Sequence, residues 1–242
     1  MAQSKPRLSL RIRIGTYLLG AAKGIAFLHS KDIIHRDLKS ANLLLTRPKD
    51  GRVVVCDFAL SRLSSHALTQ AGLGTPGWIA PEAWLGDPVS TSSDVYGFAM
   101  VMFEILTATL PLDSFKVGSE AQLTTIQYKM CAENLRPPLP KFEPLVEFFT
   151  GKKSSAAAAE GSVAPVPPAL LEKQAEPPPP PQKQGEQQLG LQTQVLSEEG
   201  LMNAVLEEYC GLMRECWQRD PRARPLFPQI IATLEAMARR LL

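Results

Sequence analysis

An excess of charge of either sign is missing from this chain: 26 basic residues face 24 acidic ones over 242 positions. That balance of +2 gives no electrostatic footprint for nucleic acid or for an anionic membrane surface. Paired cysteines are missing as well. Cys56, Cys131, Cys210 and Cys216 show neither a Cys-x-x-Cys pair nor Cys/His metal spacing, so they read as small thiols in a reducing compartment. A membrane-length apolar run is absent. The stretch from Val95 to Leu112 is broken by Glu104, Thr107 and Thr109, where a span needs about 20 apolar residues, so it reads as a core helix. Lys5, Arg7, Arg11 and Arg13 interrupt the beginning and no small-residue cleavage pattern follows, so no secretory signal and a cytoplasmic location are expected. No internal repeat is visible.

What is present is a chain long enough for one buried domain, or one domain with an insertion. Ile14, Leu18, Ala21, Ile25 and Leu28 recur at helical spacing, predicting an amphipathic helix over residues 10–29. Residues 42–46 and 52–56 are β-rich runs on either side of Arg-Pro-Lys-Asp-Gly, the pattern of a hairpin with a longer loop. Residues 60–80 lack periodicity and read as a loop. Thr91-Ser92-Ser93-Asp94 reads as the N-cap of a helix reaching Ala108, and further helices are expected over 120–133, 198–217 and 228–242. From about 142 to 197 the composition turns to Ala, Pro and Gln, including Pro177 to Pro181. Such a segment buries too little apolar surface to offset its ordering entropy, so most of it is expected to be disordered. It reads as a spacer or as a proline-rich docking segment.

Two short strings carry the chemistry. His35-Arg36-Asp37-Leu38-Lys39-Ser40-Ala41-Asn42 precedes the hairpin and Asp57-Phe58-Ala59 follows it, so the hairpin would bring Asn42 and Asp57 to neighbouring strand ends. Further along stand Gly74-Thr75-Pro76-Gly77-Trp78-Ile79-Ala80-Pro81-Glu82, Ser93-Asp94-Val95-Tyr96-Gly97, Cys216-Trp217 and Asp220-Pro221-Arg222-Ala223-Arg224-Pro225. Taken singly, His35 is an ordinary core histidine, Asp37 and Asp57 are turn carboxylates, and Glu82 and Arg224 a surface pair. In this order they resemble the C-terminal lobe of a protein kinase, of the tyrosine-kinase-like serine/threonine group (Raf-like and mixed-lineage-like). The resemblance covers residues 8–141 and 198–242.

The resemblance implies a protein-kinase-like α+β fold: a mostly α-helical lobe with a short catalytic β-hairpin. Its first part is residues 1–141, its last helices residues 198–242, and the low-complexity insertion 142–197 separates them. It implies ATP and Mg²⁺, with Asp37 accepting the substrate hydroxyl proton and Asn42 and Asp57 as metal ligands. Lys39 resembles the lysine near the transferred phosphate and, with Thr75, positions a protein Ser/Thr substrate. Arg36 matches an arginine that receives an activation-loop phosphate, for which Ser61, Ser64, Ser65 and Thr69 are candidates beside the plain reading of solvated hydroxyls. Glu82 implies a buried carboxylate with Arg224 as partner, and Asp94 a brace for the catalytic-loop backbone.

Two departures stand out. The Gly-rich loop, the strand lysine and the helix glutamate of that family have no match, and Lys23 and Lys31 lie on or just after the first helix, so the N-terminal lobe is expected to be absent. Half of the ATP site would then be missing, activity would be weak, and apolar surface would be open to a partner. Ala59 stands where the family has glycine, which would restrict the motion of Asp57. The expected function is a serine/threonine kinase catalytic fragment. The alternative is a non-catalytic, pseudokinase-like interaction module.

Overall fold

A computed structural model describes residues 9–46, 51–58, 60–63, 74–116, 118–150 and 197–242. Ala59, Ser64, Ser65, Thr69 and residues 151–196 lie outside the described residues. Helix α1 (Leu10–Ile12) runs through a π-helical turn (Arg13–Leu18) into α2 (Leu19–His29). Strand β1 (Ile33–Ile34) leads to the loop that begins at His35, followed by β2 (Leu43–Leu45), β3 (Val53–Val55) and β4 (Arg62–Leu63). The remainder is helical: α3 (Pro81–Leu85), α4 (Thr91–Thr107), α5 (Glu120–Ala132), α6 (Phe142–Thr150), α7 (Glu198–Cys216) and α8 (Phe227–Arg240). This is the mostly helical kinase-like α+β architecture. No described helix is long and apolar enough to cross a membrane.

Helix α4 is the most enclosed helix of the lobe, packed against α7 and α2. Every residue from Ser93 to Glu104 is buried, as expected of a helix apolar on most faces. Its side-chain cap is Ser90, whose hydroxyl accepts from Ser92 N, one residue before the predicted Thr91–Asp94 cap. Ala108 ends it in the left-handed conformation at φ 56°. On one side lies α7, tied by Tyr209, whose hydroxyl donates to Met102 O at 2.7 Å. On another, the Phe227 ring meets Phe98 and His29 edge-on at 5.3 and 5.2 Å, joining α8 to α4 and α2.

The strands form two antiparallel pairs. β2 and β3 make the expected hairpin, with Leu43 opposite Val55 and Leu45 opposite Val53. β1 pairs with β4, Ile33 opposite Leu63, which places a strand where the sequence reads as loop. A two-residue strand carries no periodicity, so only its partner reveals it.

The low-complexity segment also needs correcting at its start. Residues 142–150 form α6, whose Leu145 and Val146 are buried and which packs on α7. Phe142, Leu145, Val146 and Phe149 follow i, i+3, i+4, i+7 spacing, and Phe149 carries the Arg13 guanidinium over its ring at 5.3 Å. The packed lobe therefore continues to Thr150.

Glu82 and Arg224 lock the far side of the lobe. The guanidinium donates to both carboxylate oxygens at 2.7 Å, and also to the carbonyls of Gln218, Ser92 and Arg219. Ser93 adds a third bond to Glu82 at 2.7 Å. Arg224 also faces the Tyr96 ring, with Arg136 on the same ring, both at 5.2 Å. The pair is nearly solvent-free, so removing one charge strands the other. Arg224→Met should cost about 3–5 kcal/mol, a fall in Tm on the order of 10 °C. Glu82→Met/Arg224→Met should lose less than the single change. Thermal unfolding of the three proteins checks this, and an unchanged Tm in Arg224→Met would refute it.

Candidate active site

Asp94, buried at the start of α4, organises the loop that carries Asp37. Its Oδ2 accepts from His35 N and its Oδ1 from Arg36 N, each at 2.8 Å. Arg36 sits at φ 72°, a conformation that costs a non-glycine residue on the order of 1–3 kcal/mol. Two hydrogen bonds from the loop backbone to the buried Asp94 carboxylate hold it there. His29, at the end of α2, adds a third contact through Nε2 at 2.8 Å from Asp94 Oδ2. The sequence reading passed over His29, and its place at the helix terminus just before the loop is the signal that could have found it.

His35 is buried and joins the loop to the hairpin. Asp37 N donates to its Nδ1 at 3.3 Å, which leaves the ring proton on Nε2 to be donated to Cys56 O at 3.0 Å. Cys56 N in turn donates to Asn42 O at 3.0 Å. The two strand ends that carry Asn42 and Asp57 are thus stitched together. Asn42 uses its amide nitrogen on Asp37 O (2.7 Å) and Asp37 Oδ2 (3.2 Å). Asp57 follows as an exposed residue at φ 63°.

Asp37, Lys39 and Thr75 form a closed triangle. Lys39 Nζ donates to Asp37 Oδ2 at 2.7 Å and to Thr75 Oγ1 at 2.6 Å, and Thr75 Oγ1 donates to Asp37 Oδ1 at 2.6 Å. Burial pushes the Asp37 carboxyl up, but the bonds from Lys39, Thr75 and Asn42 and the lysine charge together outweigh it. The carboxyl therefore sits below its ordinary value of 3.8. Gly74, at φ 88°, is what lets Thr75 come this close: a Cβ there would stand 2.9 Å from Arg36 O.

A second polar cluster lies beside the first and was not legible from motif matching. Glu104 on α4 accepts from Ser40 Oγ at 2.5 Å and from Trp78 Nε1 at 2.7 Å. Burial raises its carboxyl, and the two donors only partly offset this. Gln127 on α5 accepts from Gly77 N at 2.6 Å and donates to Cys131 Sγ at 3.1 Å. Together Glu104 and Gln127 anchor the segment that follows Thr75.

Of the residues singled out from sequence, His35, Arg36, Asp37, Lys39, Asn42, Thr75 and Asp94 converge on one edge of the lobe. Asp57 stands at the adjoining strand end, and Glu82 and Arg224 form the separate structural pair. No group of three or more Asp, Glu, His or Cys side chains poised for a metal occurs among the described residues. A Mg²⁺ ion shared with substrate phosphates needs only one or two protein oxygens, so Asn42 and Asp57 fit that ion and not an all-protein cage.

Comparison with known proteins agrees with this geometry. The profile of the protein kinase domain matches residues 9–234. The probable serine/threonine-protein kinase drkD of Dictyostelium discoideum is 28% identical over 231 residues, 94% of this chain and 12% of that protein. The serine/threonine/tyrosine-protein kinase HT1 of Arabidopsis thaliana is 39% identical over 125 residues, 50% of this chain and 30% of its own. The brassinosteroid LRR receptor kinase of Solanum lycopersicum is 42% identical over 107 residues, 41% of this chain and 9% of its own. The chain spans less than a third of the length of each of these relatives. The chain belongs to the protein kinase domain family.

Proposed function

We propose that this chain carries the catalytic-loop half of a protein serine/threonine kinase of the tyrosine-kinase-like group, transferring phosphate from ATP to protein hydroxyls. The observation that carries this reading is the Asp37–Lys39–Thr75 triangle beside Asn42 and Asp57. Asp37 takes the substrate hydroxyl proton, while Lys39 and Thr75 hold its carboxylate aimed and Lys39 supplies positive charge beside it. Mg²⁺ held by Asn42 and Asp57 would neutralise charge on the ATP phosphates. Lys39 tilts the acceptor toward Ser/Thr, and Cys216-Trp217 is the sequence feature that supports the group assignment.

Among the described residues no strand bears a lysine and no Gly-rich loop occurs. Much of the rate of phosphoryl transfer comes from charge pre-placed around the phosphates, so turnover by this chain alone is weak. A second reading, a non-catalytic binding module, draws on the apolar side chains exposed around the hairpin: Leu44 is 54% exposed, Val54 46% and Phe58 48%.

Three outcomes test the first reading. Mg²⁺·ATP should raise Tm, because a ligand at about 100 times its Kd stabilises the folded state by about 2.7 kcal/mol. Asp57→Asn should abolish that rise, and a rise that persists in the variant would contradict the metal role. Asp37→Asn should lower phosphate transfer to a generic protein acceptor such as casein by about 10²–10⁴-fold. Equal rates in the two proteins would favour the binding module.

The pH dependence follows from the sign of the Asp37 shift. With the folded value depressed, its contribution to stability is full above the unfolded value of about 3.9 and is lost as pH falls through the folded value. Lys39→Met removes the charge and its hydrogen bonds and lets burial dominate. The Asp37 carboxyl should then titrate at higher pH, read by carboxyl carbon NMR, and a titration unmoved from wild type would refute the assignment.

A further inference from the structure

Helix α2 carries a glycine in its middle, where that residue is a poor choice. Glycine in a helix interior is disfavoured relative to alanine through backbone entropy, and Gly24 neither caps α2 nor adopts positive φ. What it does is admit a strand. A Cβ on Gly24 would stand 2.7 Å from Val55 Cγ2, closer than such contacts come without something shifting. One turn earlier, a Cβ on Gly20 would stand 3.1 Å from Val53 Cβ. Val53 and Val55 point to the same face of β3, and Val54 between them points outward and is 46% exposed. The strand therefore rests on α2 through two valines, each opposite a glycine. Valine is stiff at χ1, so Val55 cannot easily swing aside, and the strand itself must give.

The residues just beyond Val55 carry the site. Cys56 N is bonded to Asn42 O at 3.0 Å, Cys56 O accepts from His35 Nε2 at 3.0 Å, and Asp57 comes next. We propose that Gly24 is a positioning residue for phosphoryl transfer: by admitting Val55 against α2 it sets where Asn42 and Asp57 stand relative to Asp37. This rests on the reading of Asn42 and Asp57 as the metal ligands. Helix α2 meets this part of the chain at Val53 and Val55, so its influence runs through the depth of one strand. A shift of a few tenths of an ångström at Val55 is enough to loosen bonds that tolerate little lengthening.

The chain supplies its own reporter. Cys56 is partly exposed, whereas Cys131, Cys210 and Cys216 are buried. Its thiol also lies 3.4 Å from Asn42 O, at the point the strand must hold. Four proteins are compared with wild type: Gly24→Ala, the milder Gly20→Ala, Gly24→Ala/Val55→Ala, and Val205→Ala on α7 as a destabilised control. Each is read by the native-state alkylation rate of Cys56, mapped by mass spectrometry, and by the Kd for Mg²⁺·ADP.

Gly24→Ala should speed Cys56 alkylation and weaken Mg²⁺·ADP by about 10–100-fold, the usual cost of losing an outer support of a metal ligand. Gly20→Ala should move both in the same direction by less, and it carries the test if Gly24→Ala does not fold. Removing the clashing methyls in Gly24→Ala/Val55→Ala should restore both towards wild type, and Val205→Ala should lower Tm while moving neither. If the glycine variants lower Tm but leave Cys56 alkylation as in Val205→Ala, Gly24 is packing alone and the proposal is overturned. If Cys56 responds and is rescued while Asp57→Asn leaves the Mg²⁺·ADP Kd unchanged, the metal-ligand reading fails and the strand-positioning role of Gly24 stands.

Discussion

One buried carboxylate underlies the site. Asp94 lies at the start of the most enclosed helix and spends its two oxygens on the backbone of the loop that carries Asp37. Those bonds hold Arg36 in its left-handed conformation, and with it the path of the loop into Asp37. A buried polar group is costly unless hydrogen-bonded, and here backbone amides and His29 satisfy both oxygens. The enclosure of α4 thus serves two ends: it forms the core and it immobilises the brace.

Asp37 faces an opposite balance. Asp37 is held by three side chains, and their combined pull leaves it a weak base at rest. On the proposed kinase reading, a substrate hydroxyl taking the place of Thr75 or Lys39 would remove part of that pull. On that reading proton acceptance would become easier when an acceptor arrives. Thr75 is suited to this exchange, since it belongs to a segment anchored from behind by Glu104 and Gln127 and not by Asp37 alone.

Much of the site was legible in sequence because its residues sit in short strings with local geometry. His35 to Asn42 is one loop, and the hairpin that brings Asp57 back is announced by two β-rich runs and a Pro/Gly turn. What was hidden is long-range. The Ser40–Glu104–Trp78 cluster joins three segments, and each member alone reads as an ordinary loop or helix residue. His29 reads as the end of an amphipathic helix until Asp94 is placed next to it. β4 is too short to have a pattern, and α6 was masked by the Ala/Pro-rich composition that follows it, although its apolar spacing is regular. Ser90 was missed by one residue because four capping-type residues follow it in a row.

The enclosure of α4 has a consequence for synthesis. Thr107 ends the helix, yet α7, which covers one of its sides, is complete only at Cys216. At a ribosomal pace of about 5–20 residues per second, roughly 5–20 s pass before that cover exists. During that interval Phe98, Met102 and Phe103, all buried in the finished lobe, stand open on a nascent chain. The core of the lobe is therefore closed only when its last helices emerge.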